Sequence, residues 1–368
     1  MSSRIELDAP CIGPLERKYV LRALREGFVS TYGPYIGEFE NKFNAFLRRG
    51  HAVAVQSGTA ALHLALHELG IGAGDEVIVP ALTFIASVNP ILYVGAKPVF
   101  VDVDPLTWNV SSQDIEKKIT SRTKAIICVH LYGNCCDMDR MAKIVRKHAL
   151  YLIEDATESL GSIFAGHQSG TFGDYGCFSF NGNKTMTTGG GGLILCKSSR
   201  MAEHARLLVN QARPGGEYIH TELGFNYRMT NLEASLGLAQ LEHLGGFIKK
   251  KYRFREIYVE GMKGLPVSLQ QEVPKAKSSF WLNAVTFESA KLREKVQLDL
   301  KAAGIPCRRI FAPVSESKHY QWADENELVN TYDIYDRGLC LPSSIVNKDK
   351  DISTVCRMIR KIIDHDKK

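Results

Sequence analysis

The chain has 368 residues, 45% of them apolar, and a formal charge of +6. That length allows one large domain and a smaller one. No run of roughly eighteen apolar residues supplies a membrane span, and the modest charge, without a basic stripe, excludes the usual footprint of a nucleic-acid binder. The N-terminal stretch from Met1 to Asp8 lacks the apolar core of a secretory signal, and the nine scattered cysteines form no C-x-x-C pair, so a reducing cytoplasm is expected. Cys128, Cys177 and Cys196 read as small core residues. The histidines show no tight ligand spacing, so no metal is expected.

In chain order, short and almost continuously apolar runs at 52–55, 76–79, 98–102, 124–129 and 151–154 predict buried strands. Between them, Leu62, Ala65, Leu66 and Leu69, and later Met141, Ile144, Val145 and His148, fall at helical spacing. This alternation predicts an α/β sandwich with a mostly parallel sheet. Runs at 177–180 and 192–196 predict two more strands flanking Lys184, close enough for antiparallel or bulged insertion. A helix is predicted over 231–244, broken by Gly245-Gly246. A second helix from about 247, with Lys249-Lys-Lys251 as a solvated face, leads into a smaller domain. That domain has a strand over 280–287, a helix over 292–303 ended by Gly304, and a terminal helix over 352–364. The expected division is 1–245 and 246–368.

Four features carry chemistry. In Gln56-Ser-Gly-Thr-Ala-Ala61, Gly58 permits a tight strand-to-helix turn, and Thr59 with nearby N–H groups suits a phosphate at a helix N-terminus. A plain N-cap fits the same residues. Asp155 ends a buried strand, where ligands of open α/β sheets gather. It is placed to hold a ring nitrogen protonated, or to cap a helix, and Glu158 is near enough to share either role. In Ser179-Phe-Asn-Gly-Asn-Lys184, Ser179 offers a hydroxyl for phosphate and Lys184 an amine that desolvation makes nucleophilic. The Gly189–Gly192 run permits close backbone approach; neither a Walker A loop nor a dinucleotide fingerprint is present. Phe84 follows a buried strand and suits either stacking on a flat ring or the core. A phosphate cradle, a buried carboxylate, a stacking aromatic and a reactive lysine are the needs of pyridoxal phosphate.

At these residues the sequence resembles the DegT–StrS family of nucleotide-sugar aminotransferases. The resemblance runs through Gly27-Phe-Val-Ser-Thr-Tyr-Gly-Pro34, Phe39-Glu-Asn-Lys-Phe43, Ser57-Gly-Thr-Ala-Ala-Leu62, Gly74-Asp-Glu-Val-Ile-Val-Pro80 and Thr83-Phe84. It continues through Val129-His-Leu-Tyr-Gly133, Glu154-Asp-Ala-Thr-Glu-Ser159, Phe178-Ser-Phe-Asn-Gly-Asn-Lys184, Gly224-Phe-Asn-Tyr-Arg-Met229 and Leu341-Pro-Ser-Ser344. It implies a fold-type-I pyridoxal phosphate enzyme with a large αβα domain and a small C-terminal α+β domain. Lys184 would be the Schiff-base lysine, Asp155 the pyridinium partner, and Glu158 a neighbour of the phenolic oxygen. Gly58, Thr59 and Ser179 match phosphate positions and Phe84 the ring-stacking position. Asn226 and Arg228 match a segment that enters the neighbouring subunit's site, implying a homodimer with shared sites. Arg308 matches a position near the sugar nucleotide.

The implied reaction moves an amino group from glutamate, through pyridoxamine phosphate, to a nucleotide-linked 4-keto-6-deoxy-hexose. The product is an amino sugar of the kind used in lipopolysaccharide O-antigen. The four-glycine run and Phe280-Trp-Leu-Asn283 resemble legionaminic-acid-type and bacillosamine-type members, and the segment 226–233 is similar to perosamine synthases. The chain departs from the usual pattern at the four-glycine run and at Arg309, where proline is usual. Two other readings are a sugar dehydratase, whose relatives carry histidine at the lysine position, and a silent regulatory protein of the same fold.

Overall fold

Both faces of the central strands are buried, which is why their sequences read as unbroken apolar runs. The computed structural model describes residues 4–215, 218–320 and 325–366; the first three residues of the N-terminal stretch read above lie outside these. The strands in chain order are β1 (His51–Val55), β2 (Glu76–Pro80), β3 (Lys97–Val101), β4 (Thr123–Val129), β5 (Tyr151–Asp155), β6 (Ile163–Phe164), β7 (His167–Gln168), β8 (Tyr175–Ser179) and β9 (Gly192–Cys196). They continue with β10 (Val267–Leu269), β11 (Ala276–Lys277), β12 (Asn283–Phe287), β13 (Arg308–Arg309) and β14 (Gly338–Leu341).

Seven of these strands form one sheet in the order β1-β9-β8-β5-β4-β2-β3. All its pairs are parallel except those of β9, which runs antiparallel to both neighbours. Val53 and Val55 face a core built with Gly58–Glu68 and Ser199–Val209. Ala52 and Ala54 face the opposite layer with Phe39, Phe43 and Leu238, and Ile126 and Cys128 face Met141 and Ile144 on that same side. The result is three layers, as the alternation predicts. The parallel strands end along one edge, so the segments after β1, β2, β4, β5 and β8 converge there.

The helix expected to stop before Gly245-Gly246 instead runs unbroken from Asn231 to Met262. Two glycines cost a helix about 1 kcal/mol each, but both are exposed and a side chain there would meet nothing. The inward stripe of Leu244, Ile248, Lys251, Phe254, Tyr258 and Met262 passes them at helical spacing. A Thr230–Glu233 capping box secures the N-terminus. The second half of this helix packs with Ala290–Ala302, Asp349–Asp366 and the antiparallel sheet β10-β12-β14-β13 around Phe254, Phe287, Val296 and Ile359. The strand expected from 280 begins at Asn283. Phe280 adopts a left-handed conformation with φ 49°, which turns Trp281 out of strand register. Gly133 admits that turn, because a Cβ on it would lie 2.9 Å from the Phe280 and Trp281 nitrogens.

Glu154 locks the loop before β8. Its fully buried carboxylate accepts N–H groups of Gly170, Phe172 and Gly173 at 2.8, 2.6 and 2.7 Å, and the Nε2–H of His130 at 3.0 Å. His130 Nδ1 accepts the Cys136 N–H, which fixes the tautomer that donates to Glu154. Glu154→Ala strands four donors, two of them fully buried and two partly buried, so the urea midpoint should fall with a loss of about 3–4 kcal/mol. A midpoint within experimental error of the parent would refute this role.

Candidate active site

Lys184 sits in the loop between β8 and β9, which is stapled at its base. Phe180 N–H donates to Gly191 C=O at 3.0 Å, Thr188 N–H donates back to Phe180 C=O at 2.9 Å, and Lys184 N–H donates to Asn181 C=O at 3.0 Å. The glycine run makes its close approach to the Gln56–Gly58 backbone: a Cβ on Gly192 would stand 2.4 Å from the Ser57 carbonyl carbon. The lysine loop and the phosphate-type turn are therefore pressed together.

Lys184 Nζ lies 3.9 Å from Glu158 Oε1 and 4.2 Å from the centroid of Trp281, with its side chain 13% exposed. Burial lowers its pKa, and the nearby Glu158 and Asp155 carboxylates oppose that shift. Burial pushes the Glu158 carboxyl up to about 7, resisted by Lys184 and by the Tyr132 N–H that Oε2 accepts at 2.9 Å. The two shifts run toward each other, so amine and carboxyl are closer in proton affinity than the free groups. Glu158 completes no helix cap here; its partner comes from the left-handed Tyr132.

Asp155 ends β5 and is buried. Its Oδ2 accepts the Ser87 hydroxyl at 2.6 Å, which also bonds Thr83, and its Oδ1 accepts Thr157 N–H at 3.1 Å. Among the described residues no cationic side chain comes within ion-pair distance of it. A buried carboxylate met only by neutral donors favours a cationic donor at its open side. Across the cavity, Ser57 is the N-cap of Gly58–Glu68, accepting Ala60 N–H at 3.1 Å. The first intrahelical bond is Ala61 N–H to Ser57 C=O, so the Gly58 and Thr59 N–H groups precede the ladder. Ser57 is thus a plain N-cap, and Gly58 and Thr59 follow it on the cavity wall.

Gly58, Thr59, Phe84, Asp155, Glu158, Ser179, Lys184 and Arg308 line one cavity of ≈ 250 Å³. Phe84 is 51% exposed and its ring lies 5.5 Å from Phe311. The chemistry fits pyridoxal phosphate: donors at one end, an unpaired carboxylate on the floor, and an amine within reach. Asn226 and Arg228 are not on this wall. Arg228 is held by the Thr31 carbonyl and by Asn210. A roomier groove of ≈ 480 Å³ lies between the helices Asn231–Met262 and Asp349–Asp366, where Arg253 and Arg360 are tied to neighbouring carboxylates and carbonyls.

Three participants were not anticipated. Trp281 packs under Lys184 and donates its indole N–H to Asn183 C=O at 2.7 Å. Ser87 supports Asp155. Lys251, read as solvated, is buried and donates to the Trp281 and Ser343 carbonyls at 2.7 and 2.8 Å, where burial lowers its pKa to about 7. Its place on the inward stripe was the available signal.

A GDP-perosamine synthase of Escherichia coli O157:H7 is 40% identical over 351 residues, covering 95% of this chain and 96% of that protein. The GDP-perosamine synthase of Caulobacter vibrioides is 40% identical over 365 residues, covering 98% of each. A structure named "putative sugar aminotransferase" from Streptococcus pneumoniae, in its PMP form, superposes with a TM-score of 0.94 at 27% identity, covering 98% of this chain and 99% of that one. Residues 10–360 match the DegT/DnrJ/EryC1/StrS aminotransferase family, and the chain belongs to it.

Proposed function

We propose that the chain is a pyridoxal phosphate-dependent aminotransferase that moves an amino group from glutamate to a nucleotide-linked 4-keto-6-deoxy-hexose, giving a 4-amino-4,6-dideoxy sugar nucleotide. One observation carries this reading: the Lys184 amine, its pKa lowered by burial, shares a cavity with the unpaired Asp155 carboxylate. The relatives named GDP-perosamine synthase support a sugar nucleotide as acceptor. When bound, the cofactor supplies an electrophilic aldehyde and a ring that withdraws electron density. Gly58, Thr59 and Ser179 would hold its phosphate, Asp155 its ring nitrogen, and Phe84 a ring face, with Glu158 beside the phenolic oxygen. Lys184 Nζ would bind it covalently and, once released, take and return the proton at the reacting carbon.

Borohydride reduction of the cofactor-loaded protein, followed by peptide mass analysis, tests the assignment. The reduced adduct should sit on Lys184, and prior incubation with glutamate should prevent its formation. An adduct elsewhere would remove the lysine assignment; an adduct unaffected by glutamate would remove glutamate as donor.

We also place the working enzyme in a homodimer in the cytoplasm, with residues 1–245 and 246–368 as its two domains. Free thiols at all nine cysteines favour a reducing compartment. Tyr32, Tyr218 and Leu223 expose 80%, 85% and 73% of their surface near the Arg228 segment, an apolar area that calls for cover. If Arg228 serves the neighbouring site, co-expressed Arg228→Ala and Lys184→Ala chains should recover activity that neither variant has alone. Failure of mixed dimers to recover any activity would count against shared sites.

A further inference from the structure

Asp8 lies outside every helix and strand, yet its position is fixed. Ser343 N–H donates to Leu7 C=O at 2.7 Å, and the Ser344 hydroxyl donates to Ala9 C=O at 2.6 Å. Glu6 exchanges two bonds with the Asn347 side chain, at 2.8 and 2.7 Å. The backbone is therefore held on both sides of Asp8, and its carboxylate is delivered to one place. There Oδ2 accepts from Arg308 and from Asn183 Nδ2, each at 3.3 Å. Both donors line the cavity, and Asn183 is the residue before Lys184.

Among the described residues, the cationic side chains on the cavity wall are Lys184 and Arg308. With Lys184 committed to the chemistry, an anionic part of a substrate has Arg308 to meet. Charge-assisted bonds are normally about 2.7–2.9 Å, so 3.3 Å is slack. The Arg308 side chain is 42% exposed and that of Asp8 19%, so water and solutes compete for the pair. A contact of this kind is displaceable.

We propose that Asp8 is a specificity-determining residue, an internal carboxylate that occupies Arg308 until the carboxylate or phosphate of a substrate displaces it. This rests on reading Arg308 as substrate-binding. Asp8 then weakens the hold on any single anion and favours ligands whose remaining contacts make up the difference.

Calorimetric titration of the cofactor-loaded protein with glutarate, and separately with UDP and GDP, tests this. Asp8→Asn keeps an acceptor for Asn183 while removing the charge, and Asp8→Ala serves as a second variant. Binding should tighten on the order of fivefold in both. Tightening confined to glutarate identifies the donor carboxylate as the displacing group; tightening confined to the diphosphates identifies the nucleotide. Unchanged or weaker binding of all three probes in both variants overturns the proposal. Arg308→Gln separates the two levels. If it weakens binding while the Asp8 variants are silent, Arg308 keeps its role and Asp8 loses its own; if it weakens nothing, the reading of Arg308 itself fails.

Discussion

Lys184→Ala should lower turnover at least about a thousandfold, the range lost with a nucleophile that is also the general acid–base. Among the described residues the cavity wall carries no second amine. Arg308 offers a guanidinium, which has donors and no acceptor. Lys251, which does not line the cavity, is an amine lowered to about 7 and is spent on the carbonyls of Trp281 and Ser343. Loss of the ammonium should leave the fold intact, because Glu158, already pushed up to about 7, can remain protonated beside the gap. The variant should also retain the cofactor without a covalent bond, through the donors of the 57–59 turn and Asp155. Single-turnover rates with glutamate, together with retention of cofactor through dialysis, measure both halves. A variant within tenfold of the parent rate would end the assignment of Lys184.

Asp155→Asn should cost about 10²–10³-fold in turnover, comparable to loss of a preorganised electrostatic group, and should weaken cofactor binding. The substitution is shaped to spare the structure. The amide oxygen can still accept Thr157 N–H, and its NH₂ can donate to the Ser87 hydroxyl, which rotates toward Thr83. What disappears is the negative charge that favours a protonated ring nitrogen. The prediction is checked by the glutamate half-reaction rate alongside the urea midpoint. A slow half-reaction with an unchanged midpoint separates chemistry from folding; an unchanged rate would mean that Asp155 is only structural.

Local pattern carried much of the architecture and most of the site. Strands buried on both faces leave continuous apolar runs, so β1, β2, β4, β5 and β9 were readable to within a residue or so of their ends. Asp155 and Ser179 end strands, Gly58 opens the helix after β1 and Lys184 lies in the loop after β8; their motifs are contiguous, so this part of the cavity wall was legible from short segments. The glycine pair at 245–246 misled because a local stop signal competes with tertiary packing, and the inward stripe through Lys251 and Phe254 prevailed.

The long-range partners had no comparable signature. Trp281 meets Asn183 across 98 residues, and Asp8 meets Asn183 and Arg308 across 175 and 300. Burial of Lys251, and not of its neighbour Lys249, depends on which way one helix faces the carbonyls of Trp281 and Ser343. Periodicity and motif spacing are properties of neighbouring residues and survive in the linear chain. The pKa of Lys184, the slack pair at Arg308 and the wall of the cavity arise from side chains that meet only after distant segments have packed, because desolvation and Coulomb interactions depend on distance in space.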